Sequence, residues 1–492
     1  MKPTLAASAL LAGALAVRSL GWPLIHDAPL FHYVAWLMRQ GLVPYRDIFD
    51  MNLPGVYLLH WAILATAGGS DLAWRLFDLG WLAATAALLF AFCRPLGGAV
   101  GAAGAALLFA LYHLAGGAWH VGQRDFLLCL FLAAGACGIA RAWDRGGSRL
   151  ALLCGGAALG AGLTVKPYAV GLFWLGSAAA GAAAARRAGR AALPGAVAVL
   201  GAGLAVPALV FGWLGWRGGL GAFWETLVGY VIPFYSRLGR EPLWTSLSGH
   251  AYGRILLALL GGLALWGLLV PAAPSFGIRR RLAFLGVVAG ALHFALQGKG
   301  WEYHLYPLVF FLCALAAPAG EAVAAGAPPR TRELARAAAI ILFAATALVL
   351  AAKGVEAMGA EWIDAKARRV AAITRDLGPL VPAGGTAQVL DVTEGGIHAL
   401  LRLGLRQPTR FLYDFHFFHD ETAPRIQALR AELVRGLEQG RPAAVVVLRD
   451  SWLERGYDRL DRFPELRDLL ARDYALAVTG DDYRIYAKRS GS

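Results

Sequence analysis

Charge is what this sequence has least of. Only 16% of its 492 residues are Asp, Glu, Lys or Arg, while 58% are hydrophobic. Soluble domains carry roughly 25% charged residues, so this chain cannot cover a water-facing surface of ordinary polarity. A soluble enzyme is excluded. Cysteine is scarce as well: Cys93, Cys129, Cys137, Cys154 and Cys313 all fall inside apolar segments with no metal-type spacing, which argues against a disulfide framework or a zinc site. No nucleophile elbow or phosphate-cradling glycine loop appears. His26, His60, His113, His120, His293 and His304 are scattered, with no metal-type pair at helical spacing.

What is present is apolar on every face, in runs such as Ala83 to Cys93 and Ile255 to Val270. Segments of spanning length occur at 4–22, 75–93, 98–115, 126–143, 150–165, 167–185, 193–214, 253–273, 282–297, 305–323 and 337–352. The first resembles a signal peptide but reads better as an uncleaved span. The abundant glycines, Gly155-Gly156 and Gly160 to Gly162 among them, read as small-residue helix packing.

The net charge of +14 is unevenly placed. Residues 1–352 hold 25 Lys and Arg against 12 Asp and Glu, whereas residues 353–492 hold 21 against 20. The basic excess therefore lies in short loops between apolar spans, where it sets orientation. A basic face shaped for nucleic acid is absent. Leu53 to Ala67 is apolar but short, and begins Leu53-Pro54-Gly55. If it does not span, Lys2, Arg94, Arg141/Arg145/Arg149, Arg186/Arg187/Arg190, Arg279 to Arg281 and Arg330/Arg332/Arg336 share one side. We read 53–67 as an interfacial or re-entrant helix. The expected architecture is a polytopic α-helical membrane domain, 1–352, with about eleven spans. Its N-terminus is cytoplasmic, its outer loop 23–74 carries interfacial helices, and a periplasmic α/β domain follows at 353–492.

Arg124, Lys166 and Lys299 then lie on the outer side, where orientation statistics do not require them. Each alone could snorkel to lipid phosphates, but three at one membrane depth point to an anionic ligand. Outer carboxylates are Asp27, Asp47, Asp50, Asp125 and Glu302. Such a group can act as general base or hold a divalent cation. Asp47 and Asp71 read as structural partners of Arg46, Arg75 or Arg124, whereas Asp27 has no basic neighbour in sequence. His304, beside Lys299 and Tyr303, is the histidine most suited to a site.

These features together resemble the GT-C superfamily of polytopic glycosyltransferases, in particular bacterial relatives of protein mannosyltransferases and aminoarabinose transferases. The resemblance rests on Asp27 past the first span, the stretch Leu30 to Gln40 followed by Gly41-Leu42-Val43-Pro44-Tyr45-Arg46-Asp47, and Asn52-Leu53-Pro54. It continues in Arg75-Leu76, Arg124-Asp125, Lys166-Pro167 and Lys299 to His304. It implies an outer-face active site in a bacterial inner membrane, with a polyprenyl-phosphate-linked sugar as donor and an envelope glycan, lipid or protein as acceptor. The chain departs from the family where Asp27 is followed by Ala28 rather than Glu, and where Asn52-Leu53-Pro54 replaces Lys-Pro-Pro or His-Pro-Pro.

Asp27 and Asp125 are the candidate catalytic residues. Asp27 would activate the acceptor hydroxyl, and together the two could hold Mg or Mn. Arg124, Lys166 and Lys299 would stabilise the departing phosphate, and Asp50, Tyr303 and His304 complete the substrate-binding set. The competing readings are a transporter or lipid flippase, which would place charges near the bilayer midplane, and a catalytically silent relative.

In the tail, alternation predicts a charged helix at 353–375, strands at Ala387 to Thr393, Thr409 to Phe415 and Ala443 to Leu448, and helices at Gly396 to Leu405, Thr422 to Glu438 and Pro464 to Ala471. A hairpin follows about Gly480-Asp481-Asp482. The aromatic run Phe411 to His419 reads as a core strand or as the lining of an acceptor cleft.

Overall fold

The structure, a computed structural model, describes residues 2–144, 148–187, 189, 193–248, 251–269, 277–320, 329–452 and 454–489. Arg145, Arg190 and the far ends of the 253–273 and 305–323 segments lie outside them.

Two compact units form. The first comprises Met1–Gly21, Arg75–Val210 and Arg240–Gly359; the second comprises Trp22–Trp74, Phe211–Gly239 and Ala360–Ser492. This differs from a division at residue 352, because 22–74 and 211–239 pack with the C-terminal residues.

The first unit is a helical bundle. Among the described residues of the chain, eight helices are long and apolar enough to cross a membrane. One of them, Asp71–Ala115, is 45 residues long and breaks at Gly97 and Gly98 beside Pro95, so it accounts for two expected spans. Arg149–Val165 is shorter, at 17 residues, and Gly277–Gln297 opens with Arg279, Arg280 and Arg281. Small residues let these helices touch backbone to backbone. A Cβ on Gly138 would meet the Ala151 carbonyl at 2.6 Å, and one on Gly160 would meet the Gly203 carbonyl at 2.4 Å. Side chains larger than hydrogen would force the helices apart.

In the second unit, Pro54–Thr66 is a 13-residue helix packed on Asp27–Arg39. It rises about 20 Å, short of a ~30 Å hydrocarbon core. Four strands form one sheet: β1 (Ala387–Leu390), β2 (Ala444–Leu448), β3 (Tyr474–Thr479) and β4 (Tyr483–Lys488), in the order β1-β2-β4-β3. β1 and β2 run parallel, with Ala387 opposite Ala444; the other pairs are antiparallel. β2 is buried along its whole length, which is why Ala-Val-Val-Val-Leu has no polar alternation. Glu361–Leu377, Gly396–Leu403, Pro424–Gly440 and Pro464–Asp473 are helices of the C-terminal part of this unit.

Two expectations change. Thr409 to Phe415 forms no strand; only Phe411 bridges, to Phe49. Pro408 has no N–H to donate, and side chains occupy neighbouring ladder groups: Gln407 Nε2 donates to the Phe411 carbonyl at 2.9 Å and Thr409 Oγ1 to Gln388 at 2.7 Å. The aromatic run is core rather than cleft, since Phe411, Phe415, Phe417 and Phe418 are all buried in the unit.

Candidate functional site

A proline builds the first part of the site. Pro167 opens the Pro167–Arg187 helix and disfavours helical backbone at the residue before it. Lys166 is accordingly extended, with φ −161° and ψ 115°, and closes the Arg149–Val165 helix. Its buried ammonium reaches Asp125 at 2.8 and 3.1 Å. Asp125 lies in the first turn of Arg124–Asp144, where the helix dipole favours a carboxylate.

Gly277–Gln297 supplies the rest. His293 and Gln297 are one helical turn apart and share a face. His293 Nδ1 accepts the Ala169 N–H at 3.2 Å, so its proton sits on Nε2 and is donated to Asp125 Oδ1 at 2.5 Å. Gln297 Nε2 adds a third donor at 3.2 Å. The Asp125 carboxylate, fully buried, is thus satisfied by an ammonium, an imidazole and an amide.

Next to this cluster comes the Gly298-Lys299-Gly300 loop. Both glycines have left-handed φ, +59° and +65°. A Cβ on the first would meet the Arg240 side chain at 2.9 Å, and one on the second Ser246 Oγ at 3.2 Å. Lys299 lies over the Trp301 ring, 5.3 Å from its centroid. Burial pushes the Lys299 ammonium down to about 7, with further repulsion from Lys166 and Arg124. A single short turn, Glu302–Leu305, buries Tyr303 and His304, and the His304 and His293 ring centroids are 6.5 Å apart.

The first unit therefore brings together Arg124, Asp125, Lys166, Lys299, Tyr303 and His304. Asp27 and Asp50 belong to the second. Asp27 is half-buried at the start of Asp27–Arg39, directly after His26, whose φ of 56° is strained for a non-glycine residue. Asp50 is buried and accepts hydrogen bonds from the Met51 N–H at 2.6 Å, Asn52 Nδ2 at 2.8 Å and Tyr57 Oη at 2.8 Å, so it organises the Pro44 to Tyr57 turn.

Sequence proximity mispaired several acids. Asp47 does pair with Arg46 at 2.8 Å. Asp71 instead accepts the Leu24 N–H at 3.0 Å and faces Arg402 at 3.5 Å. Arg75 pairs with Asp78, deep in an apolar run. His293, Gln297 and Asp78 were missed as site or network residues; polar side chains in otherwise apolar spans were the available signal. A divalent cation does not fit at Asp125, whose charge Lys166 already balances. Among the described residues, no group of three or more His, Cys, Asp or Glu side chains could hold a metal.

No protein-family model matches this sequence, and no curated protein matches it significantly. Solved structures do match. ArnT from Cupriavidus metallidurans, bound to undecaprenyl phosphate, superposes with a TM-score of 0.59 at 12% identity, covering 99% of this chain and 98% of ArnT. The chain has the GT-C fold. Two further structures share it. The Archaeoglobus fulgidus oligosaccharyltransferase tethered to an acceptor peptide gives 0.53 at 13% identity, over 99% of this chain and 74% of that one. The mycobacterial arabinofuranosyltransferase AftD gives 0.52 at 15% identity, over all of this chain and 40% of AftD. In this GT-C fold the polar cluster about Asp125 is formed by the N-terminal end of one apolar helix, the junction of two others and the C-terminal end of a fourth.

Proposed function

We propose that this protein is a membrane glycosyltransferase of the inner membrane. It transfers a sugar from a polyprenyl-phosphate-linked donor to an envelope glycan, lipid or protein acceptor on the periplasmic face. The observation that carries the reading is the gathering of Arg124, Lys166 and Lys299 around the loops flanking Asp125, in a fold shared with an undecaprenyl-phosphate-bound protein. Cations held apart by burial and mutual repulsion gain most from an anionic ligand.

In the reaction, an acceptor oxygen bonds to the anomeric carbon as the bond from that carbon to the phosphate oxygen breaks. The acceptor proton passes to Asp27, and the leaving phosphate keeps the electron pair, stabilised by the three cations. The strained His26 backbone supports Asp27 in this role, because strain of this kind concentrates at functional sites. Asp125 acts through Lys166 as its counter-ion, and Tyr303 and His304 line the donor site. Asp50 shapes its own turn.

The test is purified protein in lipid nanodiscs, supplied with polyprenyl-phosphate sugars and envelope extracts, with glycolipids and glycans followed by mass spectrometry in cells with and without the gene. Sugar-dependent release of polyprenyl phosphate supports the proposal. Lipid translocation without transfer would replace it with the flippase reading.

A further inference from the structure

A second polar network lies in the first unit and has no part in the mechanism above. It begins at Asp78, a buried carboxylate within the long Asp71–Ala115 helix. Arg75 pairs with it, and Arg75 Nε also donates to Ser19 Oγ at 3.0 Å. The Gly122 N–H donates to Asp78 Oδ1 at 2.8 Å, and His113 Nε2 lies 2.8 Å from Oδ2. From there the contacts run outward: His113 Nδ1 is 2.7 Å from Tyr306 Oη, which is 3.0 Å from His120 Nδ1. Asp78, His113, Tyr306 and His120 are each 1% exposed or less.

The bond directions follow from the tautomer set at Asp78. An ionised carboxylate only accepts, so His113 Nε2 carries the proton. Arg75 already balances Asp78, so the tautomer that carries its proton on Nε2 leaves Nδ1 as the acceptor toward Tyr306. Tyr306 therefore donates to His113, and its oxygen accepts from His120 Nδ1. His120 Nε2 is left as a bare lone pair. Burial pushes the His120 imidazole down to about 3, in keeping with a neutral ring. That nitrogen is buried and has no hydrogen-bond partner among the described residues. The ring lies so close to Gly116 that a Cβ there would sit 1.8 Å from Nδ1, so only glycine at 116 leaves room for it. Unsatisfied buried acceptors are rare and call for a ligand or a water.

His120 ends the short turn Gly117–His120, four residues before Arg124. The Trp119 and Tyr303 rings flank it, with centroids 6.4 and 6.5 Å away. We propose that His120 Nε2 is a substrate contact that accepts a hydrogen bond from a hydroxyl of the donor sugar or of the acceptor, held in that state by the Asp78–His113–Tyr306 chain. This rests on the transferase reading. It makes His120 a specificity-determining residue, because a site built to accept from a hydroxyl discriminates against an analogue lacking it.

The experiment compares His120→Asn, which keeps a donor toward Tyr306 but loses the outer acceptor, with His120→Gln, which places an amide oxygen near Nε2. Steady-state kinetics are measured with native and single-deoxy forms of both substrates. His120→Asn should raise KM by about 3- to 10-fold for the substrate whose hydroxyl is bound, the worth of one neutral hydrogen bond. It should also lose the preference for the native over the matching deoxy substrate, and His120→Gln should restore part of that preference. Movement in donor KM assigns the contact to the sugar, and movement in acceptor KM assigns it to the acceptor. Unchanged KM values and unchanged deoxy discrimination in His120→Asn would overturn the proposal and leave Nε2 to a structural water. Equal losses in both variants, with deoxy discrimination intact, would overturn it in favour of a purely structural loop. No turnover by the unmodified protein with any donor would overturn the transferase reading instead.

Discussion

Replacing Lys166 by Met tests the core of the site. Asp125 is fully buried and its ammonium partner lies 2.8 Å away. Removing the lysine leaves the carboxylate with His293 and Gln297 alone, in a setting where charge is expensive. An uncompensated buried charge costs ~3–5 kcal/mol, so Lys166→Met should be strongly destabilised. Asp125→Asn strands the ammonium and should lose a similar amount. The double variant Asp125→Asn/Lys166→Met carries neither charge and should be more stable than either single variant, because a neutral pair of similar shape escapes the desolvation penalty. Thermal inactivation of detergent-solubilised protein, followed by size-exclusion chromatography, reads these differences. Transfer activity separates structure from function. A charge-assisted phosphate contact is worth ~1.5–3 kcal/mol, so the double variant should stay roughly 10- to 100-fold below wild type even with stability recovered. Full recovery of transfer would show Lys166 to be a counter-ion only. A double variant less stable than both single ones would refute the ion-pair reasoning itself.

Further outcomes follow from the same geometry. Burial pushes the Lys299 ammonium down to about 7, and a bound phosphate favours its charged form. Donor affinity should therefore be complete below pH 7 and fall above it, by at most about tenfold per unit; Lys299→Met should flatten this dependence, which donor binding at pH 6 to 9 will show. Asp27→Asn keeps shape and removes charge, so transfer should drop ~10²-fold or more with thermal stability unchanged; full turnover would make Asp27 structural. A cysteine at Ser70 should react with an impermeant maleimide on intact cells, whereas one at Ser148 should be protected. The opposite labelling would reverse the orientation.

Much of the fold was legible because it is written in local pattern. Apolar runs of fixed length announce helices whose backbone must bond internally, and the Gly97-Gly98 break falls between two of the expected spans. Small residues marked the close helix contacts at Gly155, Gly156 and Gly160. In the tail, period-two alternation and turn residues located β3 and β4 and their hairpin. The basic residues gathered near Asp125 stood out too, because Arg124, Lys166 and Lys299 lie where neither orientation nor solubility asks for them. Pro167 even announces the extended backbone that presents Lys166.

Partnership was decided only by the tertiary structure. Asp125 sits beside Arg124 in sequence, yet its carboxylate is bound by Lys166, 41 residues away, and His293, 168 residues away. Adjacent residues on a helix point in different directions, so a neighbour in sequence is seldom the partner of a buried charge. The aromatic run at 411–419 reads first as a core strand and second as the lining of a cleft; buried packing of Phe411, Phe417 and Phe418 with Phe49, Tyr230 and Phe463 makes it core. Likewise 22–74 carries its own apolar helix, and composition alone assigned it to the membrane domain. It joins the C-terminal residues because Phe31, Val34, Tyr45 and Tyr57 bury their side chains against Val389, Ile397 and Val446. Hydrophobic burial is non-directional, so composition shows that a surface must be covered, and only the packed chain shows by what.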